Sequence, residues 1–152
     1  MRNEKLIEKA SLEGQVYGKL FALTNLIQTM GDDFFFDITL KQHFVLLAIG
    51  IFEDYSPALN EVAEIAGCSY QNIKKISILL EKKGYLSIVQ DTEDKRKLRL
   101  VLTDKIRKIS SDLDKDINRF FDSLFKGISE KQKKSMLMGL KLMEKNAANF
   151  KR

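Results

Sequence analysis

Apolar positions recur at helical spacing towards both ends of the chain. Residues 4–30 carry an apolar stripe at steps of three, four and seven, which predicts a long amphipathic helix that ends at residues 31–33. The same spacing runs from residue 104 to about residue 125. A capping-box pattern at residues 129–132 then predicts a last helix that extends to about residue 150.

The middle of the chain begins with a helix that is apolar almost all round. Thr39 and Gln42 have the spacing of a capping box, and the run from His43 to Phe52 predicts a central, buried helix. Ser56 suits an N-cap and Pro57 suits the first helical position, so these two residues are predicted to open the next helix.

A basic helix follows a turn at residues 67–69. It is predicted to run from Tyr70 to Lys83, where it carries four lysines and one acid, Glu81. Its predicted buried stripe consists of Ile73, Ile76, Leu79 and Leu80. Hydrogen-bonding and basic side chains occupy the other faces, as in a helix that enters a DNA groove.

Period-two alternation then predicts a β-hairpin with a charged tip. Residues 86–89 and 98–102 alternate around a tip at residues 91–95. Helix, turn, helix and hairpin in this order indicate a winged helix-turn-helix, in which one helix occupies a DNA groove and the hairpin lies beside it. The sequence therefore predicts a mainly α chain with a small β-hairpin wing, and residues 39–103 as its DNA-binding part.

The side chains predicted to contact DNA lie early in the basic helix and on the wing. Glutamine and asparagine can bond adenine edges, lysine can reach phosphate or guanine, and arginine suits a narrow minor groove. The predicted set is Ser69, Tyr70, Gln71, Asn72, Lys74, Lys75, Arg96 and Lys97.

Three acids at the wing tip oppose this prediction. One of Asp91, Glu93 and Asp94 can brace an arginine through a bidentate pair, but the other two disfavour DNA unless they sit away from its backbone. They motivate an alternative function, a winged-helix protein-interaction module that does not read DNA.

Composition narrows the classes of function. The 152 residues carry a net charge of +5, which mildly favours a polyanionic partner. One cysteine and one histidine exclude an internal disulfide and the usual metal sites, so no cofactor is expected. No nucleotide-binding or catalytic motif predicts an enzyme. No secretory signal or membrane-length apolar run is present, so the cytoplasm is the expected location.

Three segments resemble the MarR family of transcriptional regulators. Residues 94–103 fit the pattern D-x-R-x-x-x-L-x-L-T of the family's wing at every fixed position. Residues 62–69 resemble L-A-E-x-L-G-x-S, which precedes the family's recognition helix, and residues 80–86 resemble L-E-x-x-G-x-[LIV], which follows it. The helix order and length match as well, so the resemblance extends over nearly the whole chain.

The resemblance implies a winged-helix homodimer that binds a pseudo-palindromic operator and is commonly a repressor relieved by a small ligand. Residues 1–31 and 104–152 would form the dimerisation part. Arg96 would be the minor-groove residue and Asp94 its brace. Cys68 does not match the N-terminal cysteine of oxidant-sensing members, and is favoured as a small turn residue.

The resemblance also implies a small-molecule effector. Phe35, Phe36 and His43 are candidates for the wall of its pocket. Ordinary core packing is the alternative for the two phenylalanines, and a partly buried structural role is the alternative for His43.

Overall fold

The computed structural model describes residues 9–35 and 37–150, without the side chains at 107 and 110–112. The prediction of a mainly helical chain with one β-hairpin is confirmed. The elements are α1 (Leu12–Phe34), α2 (Leu40–Gly50), α3 (Leu59–Ile65), α4 (Tyr70–Lys82), β1 (Leu86–Gln90), β2 (Leu98–Leu102), α5 (Asp104–Leu124) and α6 (Glu130–Ala148). The chain divides into two compact units, Met1–Asp116 and Ile117–Arg152.

The predicted end of the first helix is wrong, and the described helix begins at Leu12. The hydroxyl of Ser11 accepts a hydrogen bond from the Gly14 amide at 3.2 Å and caps the helix, so α1 begins at Leu12; the predicted start at residue 4 lies outside the described residues. The helix also continues through residues 31–33 to Phe34.

The residues expected to end α1 instead attach it to α2. A Cβ added at Gly31 would lie 2.7 Å from the Leu40 Cβ, so only glycine permits this close approach of the two helices. The carboxylate of Asp32 accepts a hydrogen bond from the Leu40 amide at 2.7 Å. The predicted capping box of Thr39 and Gln42 then opens α2, as expected.

Helix α2 contributes most of its residues to the core of the first unit. Val45, Leu46, Ala48 and Ile49 are buried, whereas Phe44 and Leu47 remain exposed. The prediction of a central, buried helix is therefore confirmed for one face of α2, whereas its other face is exposed.

The predicted start of α3 is also wrong, because the segment before it pairs with the wing. The Pro57 carbonyl accepts a hydrogen bond from the Leu100 amide at 2.9 Å, and Ala58 forms an antiparallel bridge with Arg99. Because the backbone at Ala58 is extended, the helix begins only at Leu59. The Glu61 carboxylate accepts a hydrogen bond from the Ala58 amide at 2.7 Å and so caps the start of α3.

Helix α4 begins as predicted, but its buried stripe differs by one position. Gly67 adopts a φ of +59° in the turn, and the Ser69 hydroxyl accepts from the Asn72 amide at 3.3 Å. Ser77 is fully buried, whereas Leu79 is 47% exposed. Ile73, Ile76, Ser77 and Leu80 follow the i, i+3, i+4, i+7 spacing of one helix face, from which position 79 is rotated away.

The wing is a two-stranded antiparallel hairpin. Its register pairs Leu86 with Leu102 and Gln90 with Leu98. Leu86 and Leu100 are buried, so one face of the hairpin closes the core of the first unit.

The second unit contains the end of α5 and all of α6. Ser129 and Gln132 form the predicted capping box, and α6 has no buried residue. Its apolar face is 41–53% exposed in this single chain and consists of Met136, Leu137, Leu140 and Met143.

Candidate nucleic-acid interface

The predicted DNA-contacting side chains at the start of α4 are accessible to different degrees. Ser69, Tyr70, Gln71 and Lys75 are exposed, while Asn72 and Lys74 are partly buried. The N-terminus of α4 has its first turn capped by the Ser69 hydroxyl. A helix N-terminus favours negative charge, so this end of α4 suits a phosphate group.

At the wing tip, Asp94 contacts the arginine that it is predicted to brace. One oxygen of Asp94 accepts from both the backbone amide and the Nε of Arg96, at 3.1 and 3.3 Å. The pair is thus made through one carboxylate oxygen and is not bidentate. The Arg96 side chain remains 93% exposed, so the guanidinium is available to a ligand. Lys97 Nζ lies 3.9 Å from the other oxygen of Asp94.

Asp91 has a structural position that the sequence did not reveal. It is only 6% exposed, and one of its oxygens accepts from the backbone amides of Glu93 at 2.8 Å and Asp94 at 2.7 Å. Its other oxygen accepts from Nε of Arg99. Two of the three wing acids, Asp91 and Asp94, therefore hold the wing itself, which leaves Glu93 as the exposed acid.

The contacts of Asp91 determine its pKa. The hydrogen bond from the Asp94 amide, followed by the Arg99 guanidinium and the Glu93 amide, lowers the pKa of Asp91 to about 2. The carboxylate is therefore ionised over the whole neutral range. Arg99 is paired with this carboxylate and does not project from the tip.

Arg99 also fixes the loop between α2 and α3. Its Nη1 donates to the Ser56 carbonyl at 2.7 Å, and its guanidinium lies 6.0 Å from the centre of the Tyr55 ring. The Tyr55 hydroxyl donates to Glu61 at 2.8 Å, which raises the pKa of Tyr55. Strand β2 of the wing and the start of α3 therefore share one polar network.

The single acid of α4 joins that helix to the wing. The Glu81 carboxylate accepts a hydrogen bond from the backbone amide of Ile88 in β1 at 2.7 Å. It is engaged with protein backbone rather than presented alone among the lysines. The basic helix and the wing are thus attached directly to each other.

A second cluster joins the end of α4 to α5 and to the loop before α2. The Tyr85 hydroxyl donates to the Asp37 carboxylate, and Lys83 donates to the Asp37 carbonyl. Lys105 donates to the Lys83 carbonyl at 2.7 Å and lies 4.1 Å from the centre of the Tyr85 ring.

Both partners of the Tyr85–Asp37 bond have shifted pKa values. Burial and then the bond to Asp37 raise the pKa of Tyr85 to about 12. The same hydrogen bond lowers the pKa of Asp37, with smaller effects from the charges of Lys83 and Lys105.

The candidate effector residues are only partly brought together. His43 is 3% exposed and stacks on Phe35, with ring centres 4.8 Å apart and planes 18° from parallel. Burial lowers the pKa of His43, and the charge of Asp114 opposes that shift. Phe36 lies outside the described residues.

His43 lines a cavity of about 520 Å³, whereas Phe35 is not among the lining residues. The cavity lies between α2, the loop after it, β2 and the part of α5 that belongs to the first unit. Its other polar lining residues are Glu53 and Asp114. Its large apolar lining residues are Leu46, Leu47, Ile51, Leu102, Ile106 and Leu113.

A metal site and a membrane span were also sought within residues 9–35 and 37–150. No group of three histidine, cysteine or acidic side chains in this part of the chain could hold a metal ion. No helix there is long and apolar enough to cross a membrane.

Comparison with solved structures identifies the architecture. A MarR protein from Peptoclostridium difficile matches with a TM-score of 0.78 and 23% identity, over 91% of this chain and 91% of that chain. The S. aureus MepR–DNA complex matches with a TM-score of 0.75 and 20% identity, over 86% and 97%. Bordetella bronchiseptica BpsR, whose DNA binding is regulated by 6-hydroxynicotinic acid, matches with a TM-score of 0.75 and 18% identity, over 86% and 98%.

The sequence comparisons find no match, either to a family model or to a curated protein. The matched structures also include a transcriptional regulator of the MarR family from Rhodococcus. None of the four proteins named here is described as an enzyme. At these identities the similarity concerns the fold. This chain has the winged-helix fold of the MarR family.

Proposed function

We propose that the protein is a dimeric, sequence-specific DNA-binding transcriptional regulator, and that it is a repressor relieved by a small-molecule effector. The observation that carries this proposal is the exposure of the Arg96 side chain at the wing tip. Its guanidinium is 93% exposed at the wing tip while Asp94 holds its backbone and its Nε. An arginine presented in this way suits the negative potential of a narrow minor groove.

Helix α4 is the proposed recognition helix. Gln71 offers a side-chain amide that suits an adenine edge, and Lys75 suits a guanine or a phosphate. Both side chains are exposed. Ser69, Tyr70, Asn72, Lys74 and Lys97 complete the proposed set, and the two partly buried members, Asn72 and Lys74, offer only part of their surface.

The fold comparison supports this assignment by analogy. MepR was solved with DNA, and the DNA binding of BpsR is regulated by 6-hydroxynicotinic acid. Both observations belong to those proteins. Together with the wing geometry of this chain, they favour duplex DNA and a small molecule as its partners.

Dimerisation is proposed from the apolar side chains that this single chain leaves exposed. On α1 they include Tyr17, Phe21 and Leu26, each more than 60% exposed. The apolar face of α6 is also exposed. Patches of this kind mark interfaces, so residues 1–31 and 104–152 are the proposed dimerisation part and residues 39–103 the DNA-binding part.

The test is fluorescence anisotropy of the full chain against a labelled duplex from upstream of its own gene, across a salt series. A scrambled duplex measures the non-specific component. We expect tight, salt-sensitive binding to the upstream duplex, and we expect Arg96→Ala to weaken it by about 1–3 kcal/mol, roughly 5- to 150-fold. Sedimentation of both proteins reports the oligomeric state.

Lys141→Ala is the control for loss of a positive charge, because it removes an exposed charge from α6, far along the chain from the wing, and sedimentation verifies that it keeps the oligomeric state of the parent. Its affinity for the upstream duplex should equal that of the parent. Salt-insensitive binding, or equal affinities of the parent and the Arg96→Ala protein, would contradict the proposed mechanism. A selection from a random duplex library then tests whether the protein binds any DNA sequence. If it selects none, the alternative function, a winged-helix module that binds a protein instead of DNA, is favoured.

A further inference from the structure

We propose that the cavity between α2 and α5 binds a small organic cation with an apolar body. Its volume of about 520 Å³ lies within the range of about 300–1,000 Å³ that is typical of small-molecule sites. Most of its lining is aliphatic, which suits an apolar body. The sign of the ligand's charge follows from the few polar groups.

Among the described side chains that line the cavity, the charged ones are acids. Glu53 contributes one carboxylate from the loop after α2, and Asp114 contributes another from α5. Neither lysine nor arginine is among the described side chains of the lining. The chain as a whole carries +5, so the local charge opposes the net charge.

His43 does not supply the missing positive charge. Burial holds its pKa below the ordinary value, and the imidazole is stacked on Phe35. At neutral pH it is an uncharged wall of the cavity. The described lining therefore presents two negative groups and no positive one.

The placement of the two acids favours a cation over an anion. Both are exposed, so they remain hydrated while they face a largely apolar cavity. Among the described side chains of the lining, an anion would find no positive partner in exchange for its lost water, whereas a cation would find two negative partners. Charge thus selects the ligand class and the aliphatic wall supplies contact area.

An occupant of this cavity would also touch the base of the wing. Leu102 of β2 lines the cavity, and the loop of Glu53 continues to Tyr55 and Ser56, which contact Arg99. A change of operator affinity on cation binding follows from this connection. That consequence rests on the proposed function, whereas binding of the cation itself does not.

The test is isothermal titration calorimetry of the full chain in sodium buffer with tetraphenylphosphonium and tetraphenylborate. These two ions have the same shape and opposite charge. We expect the phosphonium to bind at least about 10-fold more tightly than the borate, although the net charge of the protein favours the borate. Asp114→Asn and Glu53→Gln should each weaken phosphonium binding by about 5-fold or more.

Glu64→Gln is the control, because it removes an exposed acid of α3 that does not line the cavity, and it should leave phosphonium affinity unchanged. Circular dichroism verifies folding, and Glu53→Gln carries the test if Asp114→Asn does not fold. Equal or tighter binding of the borate would overturn the proposal, as would phosphonium affinity that neither cavity variant lowers.

Anisotropy with the upstream duplex separates this inference from the proposed function. If the protein binds the phosphonium but no duplex, the proposed cation site stands and the proposed regulatory function is contradicted. If it binds the duplex but not the phosphonium, the proposed regulatory function stands and the proposed cation site is contradicted.

Discussion

Asp91 and Arg99 form an ion pair next to the wing tip, in which the Asp91 carboxylate is buried and also accepts hydrogen bonds from two backbone amides of the tip. One side chain thus determines both the shape of the turn and the position of the returning strand. Because Arg99 also binds the Ser56 carbonyl, the pair attaches the wing to the loop before α3.

Replacing Asp91 with Asn should destabilise the protein at neutral pH and reduce the pH dependence of its stability. The folded pKa of about 2 lies below the ordinary value of 3.8, so the carboxylate's contribution is complete above pH 3.8 and is lost as the pH falls towards 2. Urea unfolding from neutral pH down through this window measures both effects. The variant should have a lower midpoint at neutral pH and a shallower decline in acid.

Glu93→Gln is the control for that experiment. It removes the same charge from an exposed neighbour in the same turn. Its stability should stay within about 0.5 kcal/mol of the parent, as for an ordinary surface substitution. If the two variants behaved alike, the buried contacts of Asp91 would not be the source of its effect.

The wing illustrates what the sequence could and could not predict. Period-two alternation located both strands, and the residue types at the tip placed Arg96 beside Asp94. Whether Asp91 would repel a nucleic acid could not be decided from the pattern, because its burial depends on Arg99 in the opposite strand. Asp91, which the sequence analysis counted against DNA binding, is part of the scaffold of the wing.

The helices show the same division between local and non-local information. Capping boxes at Thr39 and Ser129 were predicted correctly because all their atoms lie within four residues. The start of α3 was wrong because the Pro57 carbonyl bonds Leu100, a partner distant in the chain. The predicted stop at Gly31 failed for a similar reason, because that glycine serves the contact with Leu40.

Replacing Tyr85 with Phe should lower the free energy of unfolding by about 1–3 kcal/mol, because the hydroxyl donates to the ionised carboxylate of Asp37. Tyr85 has a raised pKa of about 12, so its contribution is full below pH 10 and is lost as the pH rises towards 12. Urea unfolding at neutral and alkaline pH measures this, and the variant should lose less stability on alkalinisation.

Tyr55→Phe provides the comparison, because Tyr55 also donates to a carboxylate but is 49% exposed. Water can replace its hydrogen bond, so a smaller loss is expected. A loss as large as that of Tyr85→Phe would show that burial does not explain the difference between the two tyrosines.

Replacing Ser77 with Ala should stabilise the protein. Ser77 is fully buried in α4, and its hydroxyl has no hydrogen-bond partner among the described residues. Removing an unsatisfied buried hydroxyl should gain about 1–3 kcal/mol, in addition to the higher helix propensity of alanine.

Ser135→Ala on exposed α6 measures the propensity change together with loss of an exposed hydrogen bond to the Lys131 carbonyl. Thermal unfolding should give a larger gain for Ser77→Ala, and a smaller one would mean that the hydroxyl finds a partner in solution.

Gly31 and Gly18 lie on the same helix, and alanine should act on them in opposite directions. At Gly31 the new Cβ would lie 2.7 Å from the Cβ and Cδ2 atoms of Leu40, so α1 and α2 would have to separate, at a cost of about 1–3 kcal/mol. At Gly18 no atom lies within 4 Å of the new Cβ, and alanine should stabilise the helix by up to about 1 kcal/mol. Thermal unfolding at equal protein concentration, with sedimentation to verify an unchanged oligomeric state, compares the two variants. If Gly31→Ala left the thermal stability unchanged, α1 and α2 could separate at little cost in free energy. The close contact with Leu40 would then not explain the glycine at position 31.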